Sequence, residues 1–240
     1  MALILCIETA TNVCSVALAK DGLLVTVAES DEPKSHAGTV TKFIEQVMHE
    51  SKLQLSQLDA ISISKGPGSY TGLRIGTATA KGLCYALDKP LIAINTLKSM
   101  TSFFLSSNEL QTSSFPVPIQ SGKLQTLFIP LIDARRMEVY TAVYDNLLHE
   151  ISETKAEIIS ENSFAELLKE NKIFFFGDGA AKCKKVSSPN ANANFIENFN
   201  TSSKGMISLS EKTFAEKVFE DIAYFEPFYL KDFVTNKLKS

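Results

Sequence analysis

The chain has 240 residues, of which 45% are hydrophobic and 21% charged, and it carries a net charge of −3 with a pI near 5.7. That is apolar material enough for one large domain or two small lobes, at a charge content typical of globular proteins. The acidic balance argues against a free-standing nucleic-acid binder, whose affinity would rest on clustered Lys and Arg; the local basicity of Lys231, Lys237 and Lys239 reads as a solvated end.

Ala2 to Glu8 is an apolar, β-branched run suited to a buried strand. The polar turn Thr9 to Asn12 follows. Val13 to Lys20 then reads as a second strand, Asp21-Gly22 as a hairpin turn, and Leu23 to Glu29 as a third strand. Ser35 is placed to cap a helix from His36 to about Ser51, with Val40, Phe43, Ile44, Val47 and Met48 as its apolar stripe. Leu58 to Ser64 is the next strand. A loop containing Gly66, Pro67 and Gly68 leads from it into a helix from Gly72 to Leu87, and Leu91 to Asn95 is a further buried strand. The sequence from Ser106 to Lys123 is rich in Ser, Gln and Pro and reads as a long loop.

Beyond that loop, Gln125 to Asp133 and Met137 to Tyr144 read as strands around the charged turn Ala134-Arg135-Arg136. Ser163 is expected to cap a short helix through Glu170. Lys172 to Phe176 is a strand entering Gly177-Asp178-Gly179-Ala180. A short strand near Phe195, a helix from Met206 to Phe219 and an aromatic tail from Phe225 to Phe233 complete the reading. No internal repeat is visible in the sequence.

The four cysteines, Cys6, Cys14, Cys84 and Cys183, form no C-x-x-C pair, and three sit in apolar surroundings. They read as reduced thiols. The strand pattern ALILCIE has no basic region before it, and no apolar run approaches a membrane span, so a cytoplasmic protein with no membrane partner is expected.

The segment SKGPGSYTGLRIGTATAKGL joins a strand to a helix through a glycine turn, the geometry of an anion site. It matches no common phosphate loop: Leu73 follows Gly72 where a Walker loop needs Lys, and Thr71 replaces the third Gly of a dinucleotide fingerprint. Ser69 or Thr71 can cap the helix, so a capped turn and an anion cradle both stand. Ser69 has no His and Asp that sequence can place beside it, and there is no H-E-x-x-H, so a peptidase finds no support. Arg135 and Arg136 beside Asp133 and Glu138 are either a substrate clamp or, as such turns usually are, a solvated charged hairpin.

The order of elements resembles the actin-like superfamily. In detail IETATNVCSVAL, SHAGTVTKFIEQV, KGPGSYTGLRIGTATAKGL, IDARRMEVYTAVY and EPFYLKD resemble the TsaB family. The resemblance implies an α/β, two-lobed actin-like ATPase (ASKHA, ribonuclease H-like) fold, each lobe a mixed sheet with helices. One lobe would comprise residues 1–104 and about 206–240. The other would comprise 105–205, with the insertion near 106–123. It also implies a non-catalytic subunit that binds and activates the threonylcarbamoyltransferase TsaD in making N6-threonylcarbamoyladenosine in tRNA. TsaE would join a ternary complex, a homodimer would form when TsaD is absent, and tRNA would be met only through the complex. TsaD holds a metal on an H-x-x-x-H helix; Thr96 and Met100 take those positions here, and His36, His49 and His149 are scattered, so no metal or cofactor of the chain's own is expected, with ATP and a metal ion on partner subunits.

The carboxylate expected of a kinase in this superfamily is represented by Glu8. Glu8, Gly66, Gly68, Gly177 and Gly179 are the candidates for a vestigial nucleotide site, and an ATP-dependent enzyme using Glu8 is the alternative reading. The helices implied to pair with TsaD carry Thr39, Phe43 and Val47 on the first and Ile75, Ala78, Thr79 and Gly82 on the second, the latter a small, flat face.

Overall fold

The computed structural model describes residues 2–31, 36–107 and 124–231. The chain folds as one arrangement made twice. Strands β1 (Leu3–Glu8), β2 (Cys14–Lys20) and β3 (Leu23–Ser30) form an antiparallel meander. Helix α1 (His36–Ser51), β4 (Ala60–Gly66), α2 (Tyr70–Leu87), β5 (Leu91–Asn95) and α3 (Thr96–Ser106) follow. The second half repeats this with the meander β6 (Gln125–Asp133), β7 (Glu138–Tyr144) and β8 (Glu150–Ile158). After it come α4 (Ala165–Glu170), β9 (Asn171–Phe176), α5 (Ala180–Val186), β10 (Ala193–Phe195) and α6 (Ile207–Ala215). The sheets run β3-β2-β1-β4-β5 and β8-β7-β6-β9-β10. In both, the first strand pairs antiparallel with the second and parallel with the fourth.

The first strand is apolar from Leu3 to Ile7 because both its faces are covered. Leu3, Leu5 and Ile7 pack under α1 and α2, against Val40, Ile44, Val47, Ala80 and Cys84. Ala2, Ile4 and Cys6 face the other way, against Met206 and Ile207 at the start of α6. The second sheet is built likewise: Leu127, Ile129 and Leu131 meet Leu168 of α4 and Cys183 of α5. Phe128, Phe174 and Phe176 meet Leu97, Met100 and Phe104 of α3. Phe104 stacks on Phe176 at 4.3 Å between ring centroids.

The closing helices are thus exchanged. α3, which ends the first half, covers the second sheet, and α6, which ends the second half, covers the first. α3 begins within the first half yet belongs by packing to the other sheet's aromatic layer. Its backbone presses so closely on the turn before α6 that a Cβ at Gly205 would strike the Ser99 carbonyl.

Two elements depart from the sequence reading. β8 and α5 were not anticipated; β8 is an edge strand of alternating charged residues, and α5 is only two turns long. Ser163 does not cap α4: its Oγ accepts from Ser160 N at 2.9 Å, and the cap position is Phe164 in the left-handed region without a side-chain bond. Ser35 and residues 108–123 lie outside the described residues, so the cap of α1 and the expected loop do too. Among the described residues no helix is long and apolar enough to cross a membrane.

Candidate functional site

The strand-to-helix segment that looks like a phosphate cradle is filled by its own protein. Ser69 caps α2, its Oγ accepting from Gly72 N at 3.3 Å. Ser69 N in turn donates to Ala10 O at 2.6 Å, and Thr9 Oγ1 donates to Gly72 O at 2.9 Å. The turn after β1 therefore lies where an anion would sit. The glycines permit this contact: a Cβ at Gly68 would strike the Ala10 carbonyl, one at Gly72 the Thr9 carbonyl, and one at Gly76 the Thr9 hydroxyl. His36 Nε2 donates to Thr11 O at 2.8 Å and closes the turn from the side of α1. Of the two readings left open by the sequence, the capped turn is the one realised. Two of the amides at the start of α2, those of Ser69 and Gly72, are spent within the fold.

Gly66 makes a second backbone contact, a Cβ there striking the Phe228 carbonyl, while Phe228 N donates to Lys65 O at 2.7 Å. Gly66 N donates to Thr96 Oγ1 at 3.1 Å, Thr96 being one of the two residues expected from the resemblance at the metal-ligand positions. Met100, the other, is buried, and its Cε lies where a Cβ at Gly177 would come within 2.7 Å. Gly179 N donates to Leu131 O at 3.0 Å. The four glycines weighed for a nucleotide site, Gly66, Gly68, Gly177 and Gly179, thus each lie in close contact within the fold.

Glu8 is wholly buried. Its Oε1 accepts from Ala10 N at 2.6 Å and Ser64 Oγ at 2.9 Å, and Oε2 has no partner among the described residues. Burial pushes its carboxyl up to about 7, against the pull of hydrogen bonds from Ala10, Ser64 and Thr9. Glu8 does not line the space between the halves. That space, bounded by Thr11, Asn12, Gly177, Asp178 and Thr201, is about 60 Å³. Ligand pockets for molecules of nucleotide size run from roughly 300 Å³. A larger groove of about 790 Å³ adjoins it, but its rim carries Glu29, Asp31 and Glu197 against the single cation Lys172, a poor setting for phosphates. All four cysteines are buried and free; burial pushes the thiols of Cys6 and Cys84 up to about 12 and that of Cys14 to about 11, so they are inert.

The other candidate is the face of α2. Leu73, Ala80 and Cys84 are buried against the sheet, while Ala78 and Gly82 are exposed and Ile75 and Thr79 half-buried. The Thr79 hydroxyl is satisfied by Ile75 O at 2.9 Å, leaving its methyl outward. A Cβ at Gly82 would meet nothing within 4 Å. Thr39 and Phe43 of α1 are half-buried beside it. Val47 is a correction: it has no exposed surface and belongs to the core under α1, on the stripe with Val40 and Ile44. Residues that the sequence did not single out extend this face. Arg74 lies over the ring of Tyr70 at 4.2 Å, Tyr229 packs on Tyr70 at 4.9 Å, and Tyr85 is 86% exposed.

Two five-stranded mixed sheets with the same strand order, joined through exchanged helices, define an α/β protein of the two-lobed actin-like class. A family model described as "TsaD: tRNA N6-adenosine threonylcarbamoyltransferase" matches residues 28–239. The "tRNA threonylcarbamoyladenosine biosynthesis protein TsaB" of Haemophilus influenzae is 28% identical, over 98% of this chain and 95% of its own length. The protein of the same name from Escherichia coli is 33% identical over 59% of this chain and 54% of its own. A solved structure titled "YeaZ from Pseudomonas aeruginosa" superposes with a TM-score of 0.77 at 22% identity, covering 96% of this chain and all of that one, which shows the shared fold. The chain belongs to the family that this model describes and, within it, to the TsaB proteins.

Proposed function

We propose that this protein takes part in forming N6-threonylcarbamoyladenosine in tRNA as a non-catalytic subunit that binds and activates the transferase TsaD. TsaE would join the complex, and ATP and the metal ion would reside on those partners. The observation that carries this reading is a contrast within the first half. The glycine turn is closed by the protein's own backbone, while α2 keeps Ala78 and Gly82 open to solvent in a flat face. Small residues let a second helix approach closely. A homologous partner with the same helix pair can present a matching face, so one surface serves both TsaD and a second copy of this chain. Activation is then a population shift: the subunit binds the active form of TsaD more tightly than the inactive one.

The test is to mix the chain with its cognate TsaD, measure the mass of the product by light scattering and assay tRNA modification. Ala78→Glu and Gly82→Glu should each weaken pairing by at least about 100-fold while circular dichroism stays unchanged, since an unpaired charge would be buried. A folded variant that still pairs removes these helices from the interface.

A second reading rests on the unpartnered Oε2 of Glu8. It makes the chain an ATP-dependent enzyme. Calorimetric titration with Mg-ATP decides: turnover lost in Glu8→Gln would favour it, and absence of binding would remove it.

A further inference from the structure

The two halves end their first strands in equivalent turns, and the turns differ in kind. After β1 the turn is uncharged and packed. After β6 it is Ala134-Arg135-Arg136-Met137, exposed from Arg135 to Met137. Arg135 and Arg136 both lie in the left-handed region, with φ of 67° and 49°. Two consecutive L-residues there are unfavourable, and a hairpin of this kind is ordinarily made with Asn-Gly or Asp-Gly.

The turn is nevertheless firmly built. Arg135 N donates to Asp133 Oδ1 at 2.6 Å, Ala134 N to Glu138 O at 3.1 Å and Glu138 N to Arg135 O at 3.2 Å. Lys182 Nζ reaches in from α5 to Arg136 O at 3.0 Å, Glu138 O at 2.7 Å and Asp133 Oδ1 at 2.7 Å. Asp133 N donates to Asp178 Oδ1 at 2.8 Å. The neighbouring carboxylates are thereby taken: Asp133 pairs with Lys182, and Glu138 with Lys231. Neither guanidinium has an ion pair among the described residues. A strained, well-supported turn that holds two unpaired guanidinium groups in solvent is the arrangement expected of a surface kept for a ligand.

We propose that this turn contacts the phosphate backbone of RNA, with Arg135 and Arg136 each taking a phosphate. The inference rests on the reading of the chain as part of a tRNA-modifying complex and adds to it a direct contact with the substrate. Arginine's planar fork suits phosphate oxygens. An acidic protein partner fits less well, because a protein interface is organised around an apolar centre and this tip offers only the exposed Met137. The acidic whole-chain charge leaves the contact local: it adds affinity and register to a complex and does not make the chain an RNA binder of strength.

The experiment uses two variants, R135Q/R136Q and R136G, in the assembled complex with TsaD, and measures tRNA binding across a salt series. Glycine is the residue best suited to φ of 49°, so R136G should fold at least as well, raising Tm by about 2–3 °C. Both variants should assemble normally. Affinity should fall about tenfold per arginine removed, and the slope of log K against log salt should flatten by about 1 for each. Unchanged affinity and slope in an intact complex overturns the proposal. So does loss of assembly with RNA binding per complex preserved, which would make the tip a protein contact. If the wild-type chain forms no complex with TsaD, it is the functional reading that fails. The salt series on the full chain alone then decides this one, with weak binding lost in R135Q/R136Q expected and no binding by the wild type overturning it.

Discussion

At the end of the first sheet a carboxylate, a polar turn and a Gly-Pro-Gly segment are fused into a dry, uncharged knot. At the matching end of the second sheet a carboxylate, a turn and a Gly-Asp-Gly segment remain open and highly charged. The parts correspond one to one: Glu8 with Asp133, Ala10 and Thr11 with Arg135 and Arg136, Gly68 with Gly179. One fold thus supports two outcomes, decided by whether the turn after the first strand carries small side chains that let the helix close upon it or long charged ones that hold it away. Where it closes, glycines serve packing. Where it stays open, the turn is held by a charged network built on Lys182, and Gly177 still serves packing, a Cβ there striking the Leu131 carbonyl.

The sharpest way to break this comparison is to place a methyl group in each half. Gly72→Ala sets a Cβ against the Thr9 carbonyl, backbone against backbone, with nothing free to move. It should destabilise by more than about 3 kcal/mol, a fall in Tm of about 10 °C in thermal denaturation. Next in size is Glu8→Gln. The folded carboxyl is raised to about 7 from 4.5, so the wild type has its full stability below pH 4.5 and loses it as pH rises through about 7. The variant lacks that loss. Its stability relative to wild type, from denaturant titrations at pH 4.5, 7 and 9, should grow by about 3 kcal/mol across the series. A flat difference would mean that Glu8 is solvated and the knot is not dry.

Gly179→Ala is the milder counterpart of Gly72→Ala. Its Cβ meets Val139 Cγ1 at 3.0 Å and the Leu131 backbone at 3.1 Å, tight contacts but not the 2.0 Å overlap found at Gly72, and the residue's own φ is −78°. A loss of about 1 kcal/mol is expected by the same melt. Equal losses at the two glycines would say that the second half is as tightly closed as the first. The smallest effect runs the other way: Arg136→Gly should stabilise by about 1 kcal/mol, the mark of a residue retained against its own conformational preference.

Much of this was legible in the chain. The runs Ala2 to Glu8 and Leu91 to Asn95, the hairpin at Asp21-Gly22, and the two long helices carry periodicities that few other structures satisfy, and β1, β5, α1 and α2 form where expected. The cap of α2 was legible down to two residues, Ser69 or Thr71, and the structure uses Ser69. β8 was hidden because an edge strand exposed along much of its length reads as EISETKAEI, with four charged residues among nine and little apolar signal. α5 was hidden because seven residues give too short a window for helical periodicity.

The sequence by itself determined most of the elements, the incomplete phosphate loops and the resemblance to a family, because each depends on residues near one another in the chain. Only the tertiary structure decided what those pieces became. Repetition of the whole βββαβαβα unit left no trace in residue identities, since a buried strand requires only apolar side chains and many sequences supply them. Burial of Val47 and exposure of Ala78 were settled by which helix lies over which sheet. Whether the glycine loop would hold an anion was decided by Thr9 and Ala10, some sixty residues earlier, whose backbone occupies the place first.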